Sequence, residues 1–353
     1  MTGEPDVAVT IKDLAQMANT STATVSRVLS NKPGVAEDKR QSILRLAEQV
    51  GYRPNRTAQN LALKKSYIIG LVGADLQNAA YLDFFRHLQH ALQNDGYRVL
   101  IADSERDVEK EKHNIETMRE QRAEGIVVFP VHDWDNSVEI DHFLELKLQK
   151  FPFVLIGRLE GYGFDCVASE ELETAKGVTR HLLEFGHREF AFIGDDSRNR
   201  CVQERRDGVE LALKQAGLTL KQENVIREHD GWLEELREMM TRTDAPTALV
   251  YINDTAALAT HRTIQEMGLK APDDFSFTCF GNNLWAPLMV PSYTTTQENN
   301  EEIATVALRL LMKRIEDPSA KPSQVLVQQE LIMRESAGPA PNHNGGKRRT
   351  ARG

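Results

Sequence analysis

Three short stretches of helical periodicity lie back to back between Thr10 and Val50. Each is too short to persist alone in water, so they are obliged to pack on one another. Thr10 stands at an N-cap position with Asp13 three residues on, the spacing of a capping box. Ile11, Leu14, Ala15 and Ala18 then recur at helical period. Asn19-Thr20 breaks the pattern, and Asn tolerates the left-handed backbone of a tight inter-helix turn. Ser21 is placed to cap a second helix, Thr22 to Leu29, that buries Val25, Val28 and Leu29 before Pro33-Gly34 stops it. A third helix over about 37–50 is expected to bury Ile43, Leu44, Ala47 and Val50 and to end at Gly51, a C′ residue.

Helix, four-residue turn, helix and supporting helix is helix-turn-helix geometry. On the second helix Thr22, Ala23 and Arg27 point away from the apolar face, where they would meet base edges in a major groove. An Arg there can donate two bonds to guanine. Thr24, Ser26 and Asn31 are suited to phosphate contacts, and Thr10, Ser21 and Tyr52, at the helix ends, complete the expected DNA-facing set. The alternative is a three-helix packing module with a solvated Arg. Charge favours DNA: residues 1–65 carry ten Lys/Arg against six Asp/Glu, and residues 343–353 add four basic residues and no acidic one. Of the chain's 43 basic and 52 acidic residues, 29 and 46 are left for residues 66–342, a basic head on an acidic body.

The run TIKDLAQMANTSTATVSRVLS resembles the opening of the lactose-repressor (LacI) family, with Asn19, Thr20 and Ser30 as mild departures. The later family pattern is intact in Gly51, Tyr52, Pro54, Asn55, Ala58 and Leu61. Asn55 can cap a two-turn helix, Arg56 to Leu63, too short to persist unaided. The resemblance implies that two such hinges fold together in the minor groove and that Leu61 wedges between base pairs, kinking the duplex.

From Tyr67 onward apolar strands alternate with amphipathic helices. YIIGLVG, YRVLIA, GIVVFP and FVLIG form one strand set, with helices near 82–94, 108–121 and 136–148. EFAFIG, NVIRE, ALVYI and DFSFTCF form a second, with helices near 171–185, 205–216, 233–241 and 255–267. A helix at 297–316 and one last strand, VLVQQELI, follow. Alternation predicts parallel sheets with right-handed crossovers, here in two similar lobes joined by more than one crossing. The fold class expected is therefore α plus α/β: a helix-turn-helix DNA-binding head (1–54), a hinge helix (55–65), a two-lobed effector-binding and dimerisation domain (66–336) and a disordered basic tail (337–353). The resemblance implies the type I periplasmic-binding-protein architecture for the lobes.

Open α/β sheets bind ligands beyond the C-terminal strand ends, which in two facing lobes define a cleft. By resemblance, Tyr81 stacks on an effector, Arg205 hydrogen-bonds it, Trp232 forms an aromatic wall and Asn253 makes a polar contact; Arg158 and Gln297 sit at crossovers able to line the cleft. Where the family usually carries an acceptor Asp, this chain has Gly281. That loss, with Arg158, Arg198, Arg200, Arg205 and Arg206 retained, points to an anionic effector such as a sugar acid or phosphosugar. The carboxylate runs Glu170-Glu171, Glu234-Glu235 and Glu301-Glu302 read as helix starts and solvated faces.

No apolar run is long enough for a membrane span, and residues 1–9 lack the basic start and apolar stretch of a signal peptide, which favours the cytoplasm. Cys166, Cys201 and Cys279 lack metal-ligand spacing, and no cofactor fingerprint or nucleophile motif is present. The expected protein is a regulator, most simply a repressor, acting as a homodimer on near-palindromic double-stranded DNA, with no catalytic residues, metal or cofactor. A small-molecule-binding module that no longer reads DNA and an α/β enzyme are the alternatives, and a protein corepressor could replace the small effector.

Overall fold

The computed structural model describes residues 9–52, 65–76, 79–93, 96–131, 140–159, 161–195 and 200–341. The chain separates into two compact units, Met1–Tyr67 and Ile68–Gly353.

In the first unit α1 (Ile11–Met17), α2 (Thr22–Leu29) and α3 (Glu37–Gln49) close on a small core in which Leu14, Val25 and Ile43 are fully buried. Thr10 and Asp13 form the reciprocal capping box, and the Ser21 hydroxyl accepts from the Thr24 amide at 3.1 Å. Asn19 takes φ 47° in the turn. The end of α3 is a Schellman motif: Gly51, at φ 62°, donates to the Glu48 carbonyl and Tyr52 to that of Ala47. The expectation for Leu44 fails, since it is 39% exposed. Leu46 packs against the core instead, because 43, 46, 47 and 50 share one helical stripe and 44 lies a 100° step off it. Lys39 Nζ donates to the Ala18 carbonyl at 2.8 Å, and Arg40 reaches the Lys32 carbonyl and Asn31 Oδ1 at 2.5 and 3.1 Å. These two cations therefore brace the inter-helix turns. Residues 53–64, and with them the expected hinge helix and its Asn55, Ala58 and Leu61, lie outside the described residues.

The second unit holds two six-stranded sheets of matching topology. The first combines β1 (Ile68–Gly73), β2 (Arg98–Asp103), β3 (Gly125–Val128), β4 (Phe153–Ile156), β5 (Cys166–Ser169) and β11 (Gln324–Val327) in the order β11-β5-β4-β3-β1-β2, all parallel. The second combines β6 (Phe190–Asp195), β7 (Val225–Arg227), β8 (Ala248–Tyr251), β9 (Ser276–Cys279), β10 (Thr294–Gln297) and β12 (Glu330–Ile332) in the order β12-β10-β9-β8-β6-β7, with only β12 antiparallel. Helices α4 (Ala79–Gln93), α5 (Val108–Glu120) and α6 (Asp141–Leu148) belong to the first lobe, and α7 (Glu171–Glu184), α8 (Arg200–Gln215), α9 (Trp232–Thr241) and α10 (Asp254–Glu266) to the second. The following helix, α11 (Asn300–Glu316), returns to the first.

Strand residues alternate between faces, as a sheet covered on both sides requires. Ile69, Leu71 and Val127 pack with Phe84 and Leu88 of α4 and Leu311 of α11, while Val72, Ile126 and Val128 meet Met118 of α5 and Phe143 of α6. In the second lobe Gly208 has a packing role. A Cβ there would run into the Leu172 carbonyl and come within 2.7 Å of Ala175 Cβ, so only glycine lets α8 lie this close to α7.

Strands β5 and β10 are additions to the strands read from sequence, and the single strand expected over VLVQQELI is in fact two. It breaks at Gln328-Gln329, β11 joining the first sheet and β12 the second. Among the described residues the chain therefore crosses between lobes three times, at Glu170, Glu298-Asn299 and Gln328-Gln329. Helix α6 begins only at Asp141, residues 132–139 lying outside the described set, and α8 begins at Arg200, a turn before the expected start. The expected tail boundary at 337 is too early. Gly338 bonds Ser276 and His187, and Ala340 N donates to the Phe185 carbonyl at 2.8 Å, so the chain stays pinned to the second lobe through 340.

Candidate nucleic-acid interface and interlobe cleft

The apolar edge of α2 is closed by Val25 and Val28, which turns Thr22, Ala23 and Arg27 outward, all exposed. Arg27 has no ion-pair partner among the described residues. Thr24 and Ser26 are half-buried, and the Thr24 hydroxyl lies 2.9 Å from that of Ser21. Asn31 is in left-handed backbone at φ 50° with its Oδ1 engaged by Arg40, and Tyr52 is half-buried against the head core. Thr10 and Ser21 are spent on caps. The side chains free to read a groove are therefore those expected on the face of α2, while Thr10, Ser21 and Asn31 hold that face in shape.

In the second unit the functional side chains gather at C-terminal strand ends, where the strands deliver them into the space between the lobes. Arg205, one turn into α8, is 7% exposed. Its Nε donates to Glu171 Oε2 at 2.7 Å and its Nη1 to the Ile252 carbonyl at 2.6 Å. Its guanidinium lies over the Phe280 ring, 4.5 Å from the centroid, and its Nη2 is 3.6 Å from Glu298 Oε1. The close α7–α8 approach that Gly208 permits is what brings Arg205 to Glu171. Glu171 is thus buried in an ion pair, correcting the expectation of a solvated helix start.

From the first lobe Tyr81 packs on Phe129 with ring centroids 4.3 Å apart. Burial, then the charge of Glu298, raises its phenol above the ordinary range. Arg158, just after β4, lies 3.6 Å from Glu204 of α8, a carboxylate that Arg200 also binds at 2.8 Å. Gly281 follows β9 at φ 84°, and a Cβ there would lie 3.6 Å from Asp254 Oδ1. Asp254 is buried and accepts from the Asn283 amide and side chain, each at 2.7 Å. A carboxylate from the neighbouring strand end thus stands beside the position where the family's own carboxylate is missing. Gln297 accepts from Asn282 at 2.6 Å and borders, with Glu298, Asn300 and Gln329, a cavity of ≈650 Å³.

Of the expected residues, Arg205 lies 3.6 Å from Glu298, which Gln297 precedes, Gly281 stands beside Asp254, and Arg158 reaches Glu204 of the second lobe. Trp232 is placed elsewhere: it is 8% exposed and belongs to the apolar core of the second lobe. Asn253 is the N-cap of α10, its side chain accepting from the Ala256 amide. Nor do the arginines form a free cationic patch. Arg158 and Arg200 meet Glu204, Arg205 meets Glu171, and Arg206 meets Glu210 at 2.9 Å; Arg198 lies outside the described residues. Glu171, Glu204, Asp254, Phe280 and Glu298 were missed from sequence. The only local signal was the position of Glu298, next to Gln297 at a crossover.

Known proteins resemble this chain in sequence and in fold. The family model for bacterial regulatory proteins of the lacI family matches residues 10–55, and that for a periplasmic binding protein-like domain matches residues 179–337. Catabolite control protein A of Priestia megaterium is 27% identical over 333 residues, covering 93% of this chain and 99% of the relative. The HTH-type transcriptional repressor PurR of Mannheimia succiniciproducens is 26% identical over 335 residues, covering 93% and 98%. A crystal structure of the lac repressor dimer bound to operator and the anti-inducer ONPF superposes with a TM-score of 0.80 at 21% identity, covering 94% of this chain and 99% of that one, a likeness of fold. With both family models in chain order and repressors as relatives over nine-tenths of its length, the chain belongs to the lacI family of bacterial regulatory proteins: a DNA-binding transcriptional regulator with an effector-binding domain.

Proposed function

We propose that this chain is a cytoplasmic repressor that binds a near-palindromic operator as a homodimer and is controlled by a small effector in the interlobe cleft. The observation that carries this is the outward face of α2. Thr22, Ala23 and Arg27 stand exposed on a helix whose other side is closed over a core, held in register by two side-chain caps and a Schellman motif. Arg27 reads guanine, and the small Thr22 and Ala23 leave room for close approach to the groove. Thr24 and Ser26 bind phosphate, and the hinge residues Asn55, Ala58 and Leu61 engage the minor groove at the centre of the site.

Homodimerisation is supported by the apolar side chains that the second lobe leaves in water: Leu284, Leu288 and Val290 are 90%, 78% and 80% exposed, and Leu258 on α10 is 38% exposed. The dimeric lac repressor with which the fold is shared agrees with it. A second copy of the chain is the occupant that also supplies the second half-site. The effector site comprises Tyr81, Arg158, Arg205, Gly281 and Gln297, with Asn253 capping the helix that carries Asp254. An anionic effector would have to displace a carboxylate from an arginine, so a ligand rich in hydroxyl or N–H donors suits the cleft better. The test is selection of bound sites from random duplex DNA, with and without a metabolite mixture. Two symmetric half-sites whose recovery changes with the mixture are expected. No enrichment at low ionic strength, or a strictly monomeric protein, refutes the proposal.

A further inference from the structure

Among the described residues, two carboxylates, Glu171 and Glu298, share the single guanidinium of Arg205. Arg205 is the cation nearest to Glu298, yet that guanidinium is committed to Glu171 at 2.7 Å, to the Ile252 carbonyl at 2.6 Å and to the face of Phe280. Its Nη2 stands 3.6 Å from Glu298, too long for a hydrogen bond. Among the described residues, the other groups whose charges act on Glu298 do not neutralise it. Glu171 from α7 and Asp254 from α10 are carboxylates, Cys201 of α8 is a thiol that burial keeps protonated, and Tyr81 of α4 is a neutral phenol. Around the mouth of the cavity, Asp83, Glu301, Glu302 and Glu330 add negative charge, and His87 is the one titratable cation lining it among the described residues. Glu298 nevertheless keeps 24% of its side chain accessible on that cavity, so a ligand and a proton can both reach it.

We infer that effector binding is linked to ionisation of Glu298: the ligand presents hydroxyl or amine donors to this carboxylate and the proton it carried leaves to solvent. This rests on the reading of the cleft as the effector site. Burial, then the charge of Glu171, pushes the carboxyl up to about 7, so near neutrality roughly half the molecules carry the proton. Only the ionised fraction accepts donors at both oxygens with a full charge, and that fraction rises about tenfold between pH 6 and pH 8, so the apparent affinity rises by up to about the same factor. An acid ligand meets the same repulsion as the neighbouring carboxylates and prefers low pH.

The test has a ligand-free arm and a ligand arm, both on the full chain. Thermal unfolding of the wild type and Glu298→Gln is compared from pH 5 to pH 8. A carboxyl raised in the folded state holds a proton that the unfolded chain has released, so the wild type should lose stability relative to the variant as pH rises through about 7. A pH-independent difference overturns the inference whatever binds. In the second arm ribose, glucose, glucosamine, glucuronate and glucose 6-phosphate are titrated calorimetrically in buffers of different ionisation enthalpy. A neutral sugar should bind up to about tenfold tighter at pH 8 than at pH 6 and release about half a proton per chain at pH 7, a wild-type readout that stands even if the variant fails to fold. Binding without proton exchange, or a neutral sugar bound equally tightly at pH 6 and pH 8, overturns it. If neither these probes nor a broad metabolite mixture shifts unfolding or operator affinity, the effector reading itself is what has failed.

Discussion

Removing the cation from a buried ion pair is costly because it strands the anion. Glu171 is 5% exposed and receives the Arg205 Nε at 2.7 Å, and the Ile252 carbonyl receives Nη1 at 2.6 Å. Arg205→Met keeps the stem packed on Phe280 but leaves that carboxylate and carbonyl inside the cleft without their donor. Breaking a buried pair in this way costs about 3–5 kcal/mol, which in a domain of this size lowers Tm by on the order of 10 °C. Adding Glu171→Gln removes the stranded charge, so the double variant should recover most of the loss. Both variants should lose effector-dependent stabilisation. Denaturant unfolding of the wild type, the two single variants and the double variant closes a thermodynamic cycle, with constant m-values as the check on two-state behaviour. A single variant that loses less than about 1 kcal/mol, or a double variant no more stable than Arg205→Met, refutes the claim that the pair is mutually dependent.

Gly208→Ala should destabilise the second unit by about 1–3 kcal/mol through forced separation of α7 and α8, measured as a fall in the denaturant midpoint. Thr10→Ala removes the capping box and should cost about 1 kcal/mol in the head alone, read from amide exchange of residues 11–17. Leu44→Lys should be within about 0.5 kcal/mol of neutral, since that side chain faces water, whereas Leu46→Lys should not. Arg27→Ala should weaken operator binding by about 1–3 kcal/mol and relax preference at one base pair, with head stability unchanged, measured by gel shift on selected sites.

What could be read from residues alone follows the range of the interactions. The caps of the head were legible because Thr10 with Asp13, Ser21 with Thr24 and Gly51 with Glu48 are all local. The central apolar strands β1, β3, β4, β8 and β9 were legible because they are buried on both faces. Strand β10 escaped because Thr294, Thr295 and Thr296 look like surface residues, yet all three are fully buried. Their hydroxyls are satisfied by Arg334, Cys279 and Gln329, partners 40, 16 and 33 residues away in sequence. The cleft escaped for the same reason. Arg205 was visible as a cation, but the carboxylate that occupies it is 34 residues upstream, and an arginine already paired is indistinguishable in sequence from one awaiting an anion.

The split between β11 and β12 bears on synthesis of the chain. Each sheet takes an edge from the last strands made, so a ribosome must release nearly everything before either lobe can complete its hydrogen-bonded ladder. The head, whose own core is complete by Tyr52, is finished far earlier. A product cut short before residue 324 would therefore carry a folded reader attached to two unfinished lobes, with no means of answering a metabolite.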